Sequence, residues 1–118
     1  MERLNNIHPG EILLQEFLIP MKISAYRLAK EIDIPQSRLS QIIKGNRRIS
    51  ADTALRLSSF FGNSPLFWLG LQNDYDIEEI QHEKSEIFKR IRFKRKKIQK
   101  KIISDMMQAD EESGLYET

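Results

Sequence analysis

Cysteine is absent from this chain of 118 residues, so it can form neither a disulfide nor a thiolate metal site. That absence fits a reducing cytoplasm. Histidine is also scarce: His8 and His82 have no acidic residue or second ligand at a metal-binding spacing, and neither a metal nor a cofactor is expected. A role at a helix start or at the surface is the better explanation for His8.

Long apolar runs are missing too, since LFWLGL falls far short of the roughly 20 residues that span a bilayer. The first ten residues are polar and of mixed charge, unlike a secretory signal. No glycine-rich phosphate loop, Ser-His-Asp set or pair of catalytic carboxylates can be assembled. We therefore expect a soluble, cytoplasmic protein that is not an enzyme and does not bind membranes.

The formal net charge is only +2, but the charges are distributed in blocks. Residues 1–83 hold nine basic and eleven acidic side chains. Residues 84–103 hold ten basic side chains and one acidic, and residues 104–118 hold five acidic and no basic ones. Such blocks predict a folded domain over 1–83 and a charged appendage with its own binding or regulatory work.

Apolar residues recur at helical spacing through residues 1–83, and no stretch alternates with period two for long enough to form a strand. Prolines and N-capping serines predict five short helices, which begin near Pro9, Ser24, Pro35, Ser50 and Ser64. Pro20 is expected to end the first helix. The fourth helix is expected to bury Leu55, Leu57, Phe60 and Phe61. The predicted fold class is all-α.

The second and third helices are separated by Asp33 and Ile34 alone. Helices joined by so short a turn must cross steeply, which is the helix-turn-helix arrangement. Glycine often occupies such a turn, and Asp33 tolerates a left-handed backbone better than most residues.

The third helix, PQSRLSQIIKG, supports two interpretations when taken alone. It is either an amphipathic helix with a solvated polar side or a helix whose polar side contacts DNA bases. Its apolar side holds Leu39, Ile42 and Ile43, and the opposite side has no acid that would repel phosphates. The candidate base-contacting residues, whose side chains suit base edges, are Gln36, Ser37, Arg38, Ser40, Gln41 and Lys44.

Basic residues surround this helix: residues 22–56 carry eight bases against three acids. The loop that follows and the start of the second helix supply the candidate phosphate contacts Ser24, Arg27, Asn46, Arg47 and Arg48. Together with the short turn and the acid-free side, these residues favour DNA binding over a merely solvated helix.

The stretch SPLFWLGL begins the fifth helix with more large apolar side chains than a small core can hold. Each of these residues either belongs to the core or forms part of a dimer interface, for which the candidates are Phe67, Trp68, Leu71 and Tyr75.

The stretch SAYRLAKEIDIPQSRLSQIIKGNRRISADTALRLSSFFGNSPLFWLGLQNDYD resembles the Cro/C1-type (XRE family) helix-turn-helix domain. The opening HPGEILLQEFLIPM and the segments GNRRISADTALRLSSFFG and SPLFWLGLQNDYD resemble its HigA (VapI, virulence-associated protein I) antitoxin branch in particular. The resemblance covers about residues 7–80. The positions that match the family's base-contacting residues are Gln36, Ser37, Arg38, Ser40 and Gln41.

This resemblance implies a five-helix, lambda-repressor-like fold and a homodimer that binds double-stranded DNA at a palindromic operator. It also implies repression of the protein's own operon and neutralisation of a HigB-type, RNA-cleaving toxin. It does not extend to residues 84–118, where family members often end.

Residues 84–107 contain no proline or glycine and space their isoleucines helically, which predicts a basic amphipathic helical extension. This helix would contact additional phosphates, pack on an acidic surface or a second copy, or remain solvated. Residues 108–118 are expected to form an acidic tail without regular structure, which would weaken non-specific DNA binding by folding back on the extension.

The sequence thus predicts a dimeric transcriptional repressor, the antitoxin of a toxin–antitoxin module. Its third helix would enter the major groove while Arg27, Arg47 and Arg48 hold phosphates, and the complex would occlude a promoter. Two alternatives remain open: a stand-alone regulator without a toxin, and a protein-interaction module that has lost DNA binding.

Overall fold

A computed structural model describes the backbone of residues 5–113 and the side chains of residues 5–109. The described part is all-helical and contains no strand, which confirms the predicted fold class. Its six helices are α1 (residues 9–21), α2 (Ala25–Glu31), α3 (Gln36–Ile43), α4 (Ala51–Phe61), α5 (Pro65–Glu83) and α6 (Ser85–Ser113). The chain divides into two compact units, Met1–Glu79 and Ile80–Thr118.

Helix α1 is longer than predicted, because Pro20 does not end it. A π-helical turn over Leu13–Leu18 precedes the closing turn Ile19–Met21, which contains Pro20. The wider turn carries the preceding carbonyl groups away from the proline ring, so the usual clash is avoided. The helix ends at Met21 and is capped by Lys22, whose backbone is left-handed with φ 56°.

The predicted N-caps are confirmed at two helix starts. The side chain of Ser24 accepts a hydrogen bond from the N–H of Arg27, and that of Ser50 accepts one from Thr53. Each satisfies an N–H group that the helix itself cannot pair. Pro35 occupies the N-cap of α3 rather than its first turn, so α3 begins one residue later than predicted.

The core of the first unit forms around Leu13, Leu28, Leu39, Leu57 and Trp68, each with no measurable exposure. The aromatic part of this core surrounds the indole of Trp68. The indole Nε1 donates a hydrogen bond to Asn63 Oδ1 at 3.0 Å. Burial of these side chains supplies most of the stabilisation that orients the helices.

Two residues of α4 were expected in this core and lie outside it. Leu55 is 56% exposed and Phe60 is 37% exposed. The buried residues of α4 follow a different helical row, Ala54, Leu57 and Ser58, which turns the other two side chains toward the surface.

Helix α6 dominates the second unit, and every side chain from residue 89 to residue 109 is exposed. The helix extends to Ser113, beyond the predicted end of the extension at residue 107. Residues 108–113, predicted to lack regular structure, thus have a helical backbone, and residues 114–118 lie outside the described residues. Within the described part, none of the helices is long and apolar enough to cross a membrane.

Candidate nucleic-acid interface

Helices α2 and α3 are joined by the predicted tight turn. Asp33 has a left-handed backbone with φ 58°, and the N–H of Ile34 donates back to the carbonyl of Ala29 at 3.0 Å. This bond and the burial of Ile32 and Ile34 fix the angle between the two helices. The turn spans residues 32–35 rather than Asp33 and Ile34 alone, because the capping residues Ile32 and Pro35 belong to neither helix.

The side chain of Arg56 in α4 also binds this turn. Its Nη1 donates to the carbonyl of Ile32 at 2.8 Å and to that of Asp33 at 3.2 Å. Its Nε donates to Asp52 Oδ2 at 2.9 Å, which orients the guanidinium. The left-handed turn is therefore secured by a side chain more than 20 residues away in sequence.

Helix α3 has an apolar inner side and a polar outer side, as predicted. Leu39 and Ile42 are fully buried, and Ile43 is half-buried. The outer side contains no acid. Of the candidate base-contacting residues, four are exposed and Ser40 is half-buried, the exposed ones being Gln36, Ser37, Gln41 and Lys44.

Arg38, the remaining candidate, leans toward α4. Its side chain is 33% exposed, and its Nη1 lies 4.0 Å from Asp52 Oδ2. Its Nε is buried without a hydrogen-bond partner. Arg38 thus lies at the flank of α3, and a buried unpaired donor of this kind is costly.

Helix α1 approaches the end of α3 at very short distance. A Cβ atom on Gly10 would overlap the carbonyl oxygen of Ile42, and it would lie 2.9 Å from Cα of Ile43. Only glycine fits there. Gly10 therefore sets how closely α1 supports α3.

His8 caps α1 and packs against the end of α3. Its Nδ1 accepts a hydrogen bond from the N–H of Gly10 at 2.9 Å, which confirms the expected role at a helix start. The ring lies beside Gly45 and meets Tyr75 edge-on, with centroids 4.8 Å apart. Burial lowers the pKa of His8 below its ordinary value of 6.5, and the charge of Asp76 partly offsets this shift.

The loop after α3 is tied to α5. The N–H of Ile49 donates to the buried Oε1 of Gln72 at 2.8 Å, and Gln72 Nε2 donates to Asp76 Oδ1 at 3.0 Å. Arg48 forms an ion pair with the same carboxylate at 2.6 Å. Arg47 is exposed, and the described residues give it no partner. Arg47 is consequently the loop arginine with the freer guanidinium.

The candidate phosphate contacts on α2 are close together. Ser24 Oγ accepts a hydrogen bond from the N–H of Arg27 at 3.0 Å. Arg27 Nε donates to Glu31 at 2.8 Å, and its side chain is 68% exposed. An exposed ion pair of this kind contributes little, so Arg27 can exchange it for a phosphate at small cost.

Burial excludes Trp68 from the dimer candidates, because a side chain with no exposed surface cannot contact a second copy. Phe67 is 40% exposed, and Leu71 and Tyr75 are half-buried. Of the four candidates, Phe67, Leu71 and Tyr75 therefore remain available to a second copy.

Several supporting residues were missed in the sequence: Gly10, Arg56, Gln72 and Asp76. None of them carried a local signal beyond residue type, because their roles depend on contacts between distant helices. Across residues 5–109, no group of three or more acidic or histidine side chains is arranged to hold a metal ion.

Two helices joined by a left-handed turn, with a polar and acid-free outer side on the second, define a helix-turn-helix DNA-binding domain. The Helix-turn-helix family matches residues 14–69. Virulence-associated protein I of Dichelobacter nodosus is 46% identical over 81 residues, which cover 69% of this chain and 75% of that protein. The chain belongs to the HigA (VapI) family.

Solved structures agree with this assignment. An addiction module antidote protein of a HigA family from Coxiella burnetii has a TM-score of 0.70 at 46% identity. The match covers 74% of this chain and 95% of that one. The antitoxin HigA of Pseudomonas aeruginosa, solved with the higBA promoter, has a TM-score of 0.69 at 36% identity, covering 71% and 91% of the two chains.

Proposed function

We propose that this protein is a sequence-specific transcriptional repressor whose α3 inserts into the major groove of its operator. The observation that carries the proposal is the exposed, acid-free outer side of α3, which α1 supports directly, while Arg56 of α4 holds the preceding turn and Gln72 of α5 holds the following loop. A rigid support matters because each base contact requires a side chain placed within a fraction of an ångström.

In this proposal the two glutamines discriminate bases and the loop fixes the register. Gln36 lies at the N-terminal end of α3, which enters the groove most deeply, and Gln41 lies one and a half turns further along. Glutamine pairs with adenine through two hydrogen bonds. The phosphate contacts assigned to Arg27, Arg47 and Asn46 position the helix without selecting sequence.

Operator symmetry follows if the protein acts as a homodimer. The partly exposed Phe67 and the half-buried Leu71 and Tyr75 are our candidates for the interface. Two copies joined there would present two α3 helices to half-sites about 34 Å apart on a palindrome. Light scattering at micromolar concentration checks this element: a dimer is expected, and a monomer would contradict it.

We further propose that the protein is the antitoxin of a HigB/HigA-type module, which represses its own operon and neutralises an RNA-cleaving toxin. Support comes from relatives described as HigA antitoxins, including one solved with a promoter. Co-expression with the product of the adjacent open reading frame tests this role. Rescue of growth and co-purification of a stable complex are expected, and growth arrest despite expression of both chains would contradict it.

DNA binding is tested by competition between the protein's own upstream DNA and a scrambled duplex of equal length. Preference of about a thousandfold or more for the upstream DNA at moderate salt is expected of a specific repressor. Equal affinity for both duplexes would contradict sequence-specific repression and leave only electrostatic binding.

A further inference from the structure

Helix α6 carries an unusual density of exposed positive charge. Ten basic side chains lie between residues 84 and 101, and all of them are exposed. In the described part of the chain, Lys89 pairs with Glu86 at 3.3 Å and Lys97 lies over the ring of Phe93. The other eight have no ion-pair partner there. Among the side chains of residues 5–109, most of this charge is therefore not used in ion pairs.

The spacing of charge along α6 suits a nucleic acid. With a rise of about 1.5 Å per residue, ten charges over this stretch give one positive charge per roughly 2.6 Å. Duplex DNA presents one negative charge per roughly 1.7 Å of its axis. The two linear charge densities are of the same order, so the segment as a whole matches the charge density of a duplex, although only the bases on one side can contact it at once.

Four isoleucines of α6 form a stripe that lies opposite one row of its basic residues. At about 100° per residue, four of the five isoleucines of α6 lie within an arc of about 60°, namely Ile87, Ile91, Ile98 and Ile102, whereas Ile103 lies about 160° from Ile87. The side away from this stripe bears a row spaced by three and four residues, which we call the basic row: Lys89, Arg92, Lys96 and Lys100. A helix can place this row on phosphates while the stripe of four isoleucines faces away.

Pairing of the isoleucine stripe with a second copy of α6 is disfavoured by charge. Residues 84–103 carry ten bases and one acid, a net of +9, so two paired copies would bring two such segments within one helix diameter. A polyanion removes that repulsion, whereas a second copy creates it. Nucleic acid is the occupant that the charge favours.

We propose that α6 is a second, sequence-independent DNA contact, in which the basic row engages phosphates of duplex DNA beside the operator. The proposal shares with the proposed function only the premise that the chain meets duplex DNA. It assigns α6 a separate task, which is to lengthen the bound duplex and steepen the salt dependence of binding.

The test uses the full chain and two variants that remove the same charge from different sides of α6. The first replaces the basic row with glutamine: K89Q, R92Q, K96Q and K100Q. The matched control replaces four bases on the flank of the isoleucine stripe: R90Q, K94Q, K97Q and K101Q. Glutamine is a good helix former, so both variants should keep the helix, which circular dichroism verifies.

Affinity is measured against salt for a bare operator duplex and for one with random flanks of about one helical turn on each side. Wild-type protein should bind the flanked duplex more tightly and with a steeper slope of log K against log salt. Each phosphate contact contributes about 0.9 to that slope, so loss of the four-residue row should lower it by about 3.6 per bound protomer. The control should lower it by less than 1.

Equal slopes for the two variants would overturn the proposal, because the effect would then be one of total charge. So would a wild-type chain that gains nothing from the flanks, or one that binds phosphatidylserine vesicles at a salt concentration where random DNA is not bound. The ratio of operator to scrambled-operator affinity, measured with bare duplexes at high salt, reports separately on α3. A ratio close to one for the wild-type protein would refute the proposed function without bearing on α6.

Discussion

Gly10 of α1 meets Ile42 of α3 backbone to backbone, so that a Cβ atom at Gly10 would overlap the Ile42 carbonyl oxygen. The contact joins the N-terminal helix to the back of the helix that is assigned to the major groove. The position of the candidate base-contacting side chains thus depends on a residue that lies outside the helix-turn-helix.

Replacing this glycine tests the dependence. Gly10→Ala forces α1 away from α3 and should lower the free energy of unfolding by about 2 to 3 kcal/mol, measured by urea denaturation. Gly70→Ala is the matched control, since a Cβ atom there meets nothing within 4 Å. The control should gain about 0.5 to 1 kcal/mol, as alanine is the better helix former. Equal stability of the two variants would contradict the close contact.

The stability of the domain should depend on the protonation of His8. Because burial lowers the pKa of this histidine, the folded state binds fewer protons than the unfolded state near pH 6. The free energy of unfolding should therefore be full above about pH 7 and decline as the pH falls through about 6.5. His8→Asn keeps an N-cap acceptor without titrating, and it should flatten the profile in this range. An unchanged profile would exclude His8 as the cause.

Arg56 should affect DNA binding without touching DNA. Arg56→Ala removes the donors to the Ile32 and Asp33 carbonyls and should cost about 1 to 2 kcal/mol of stability, with a lower affinity for the operator. Asp52→Ala breaks the exposed ion pair with Arg56 but leaves those carbonyl bonds, so its cost should stay near 0.5 kcal/mol. Equal losses of stability in the two variants, measured by thermal denaturation, would show that the effect of Arg56→Ala comes from the ion pair with Asp52 and not from the bonds to the turn.

Gln72 should be as important for the loop after α3 as Arg56 is for the turn between α2 and α3. Gln72→Leu leaves the buried N–H of Ile49 without an acceptor, at a cost of about 1 to 3 kcal/mol. The same kind of change at the exposed neighbour, Asn73→Leu, should stay within about 0.5 kcal/mol of wild type. If hydrogen exchange at Ile49 were as slow in the Gln72 variant as in wild type, the loop would not depend on this bond.

Local features of the fold were predictable from the sequence. Ser24 and Ser50 announced helix starts, and Asp33 marked a left-handed turn, because capping and backbone preferences act over three or four residues. The separation of Leu39 and Ile42 from the polar side of α3 follows from helical period alone.

Features that depend on distant helices were not predictable. Pro20 was expected to end α1, since its accommodation by a π-helical turn leaves no local signal. Leu55 was expected inside, because periodicity allows two neighbouring rows and only the packing of α4 selects between them. Contacts such as Arg56 with Ile32 and Gln72 with Ile49 join residues 23 or 24 apart, which no helical pattern relates.

The most direct test of the central claim compares Gln41→Ala with Arg47→Ala on the operator and on every single-base variant of it. Gln41→Ala should lose discrimination at one base pair by about 1 to 3 kcal/mol and retain it elsewhere. Arg47→Ala should weaken binding to all duplexes by a similar factor and reduce the salt slope by about 1. A Gln41→Ala protein that discriminates at every position as wild type does would contradict the assignment of α3 as the helix that selects the operator.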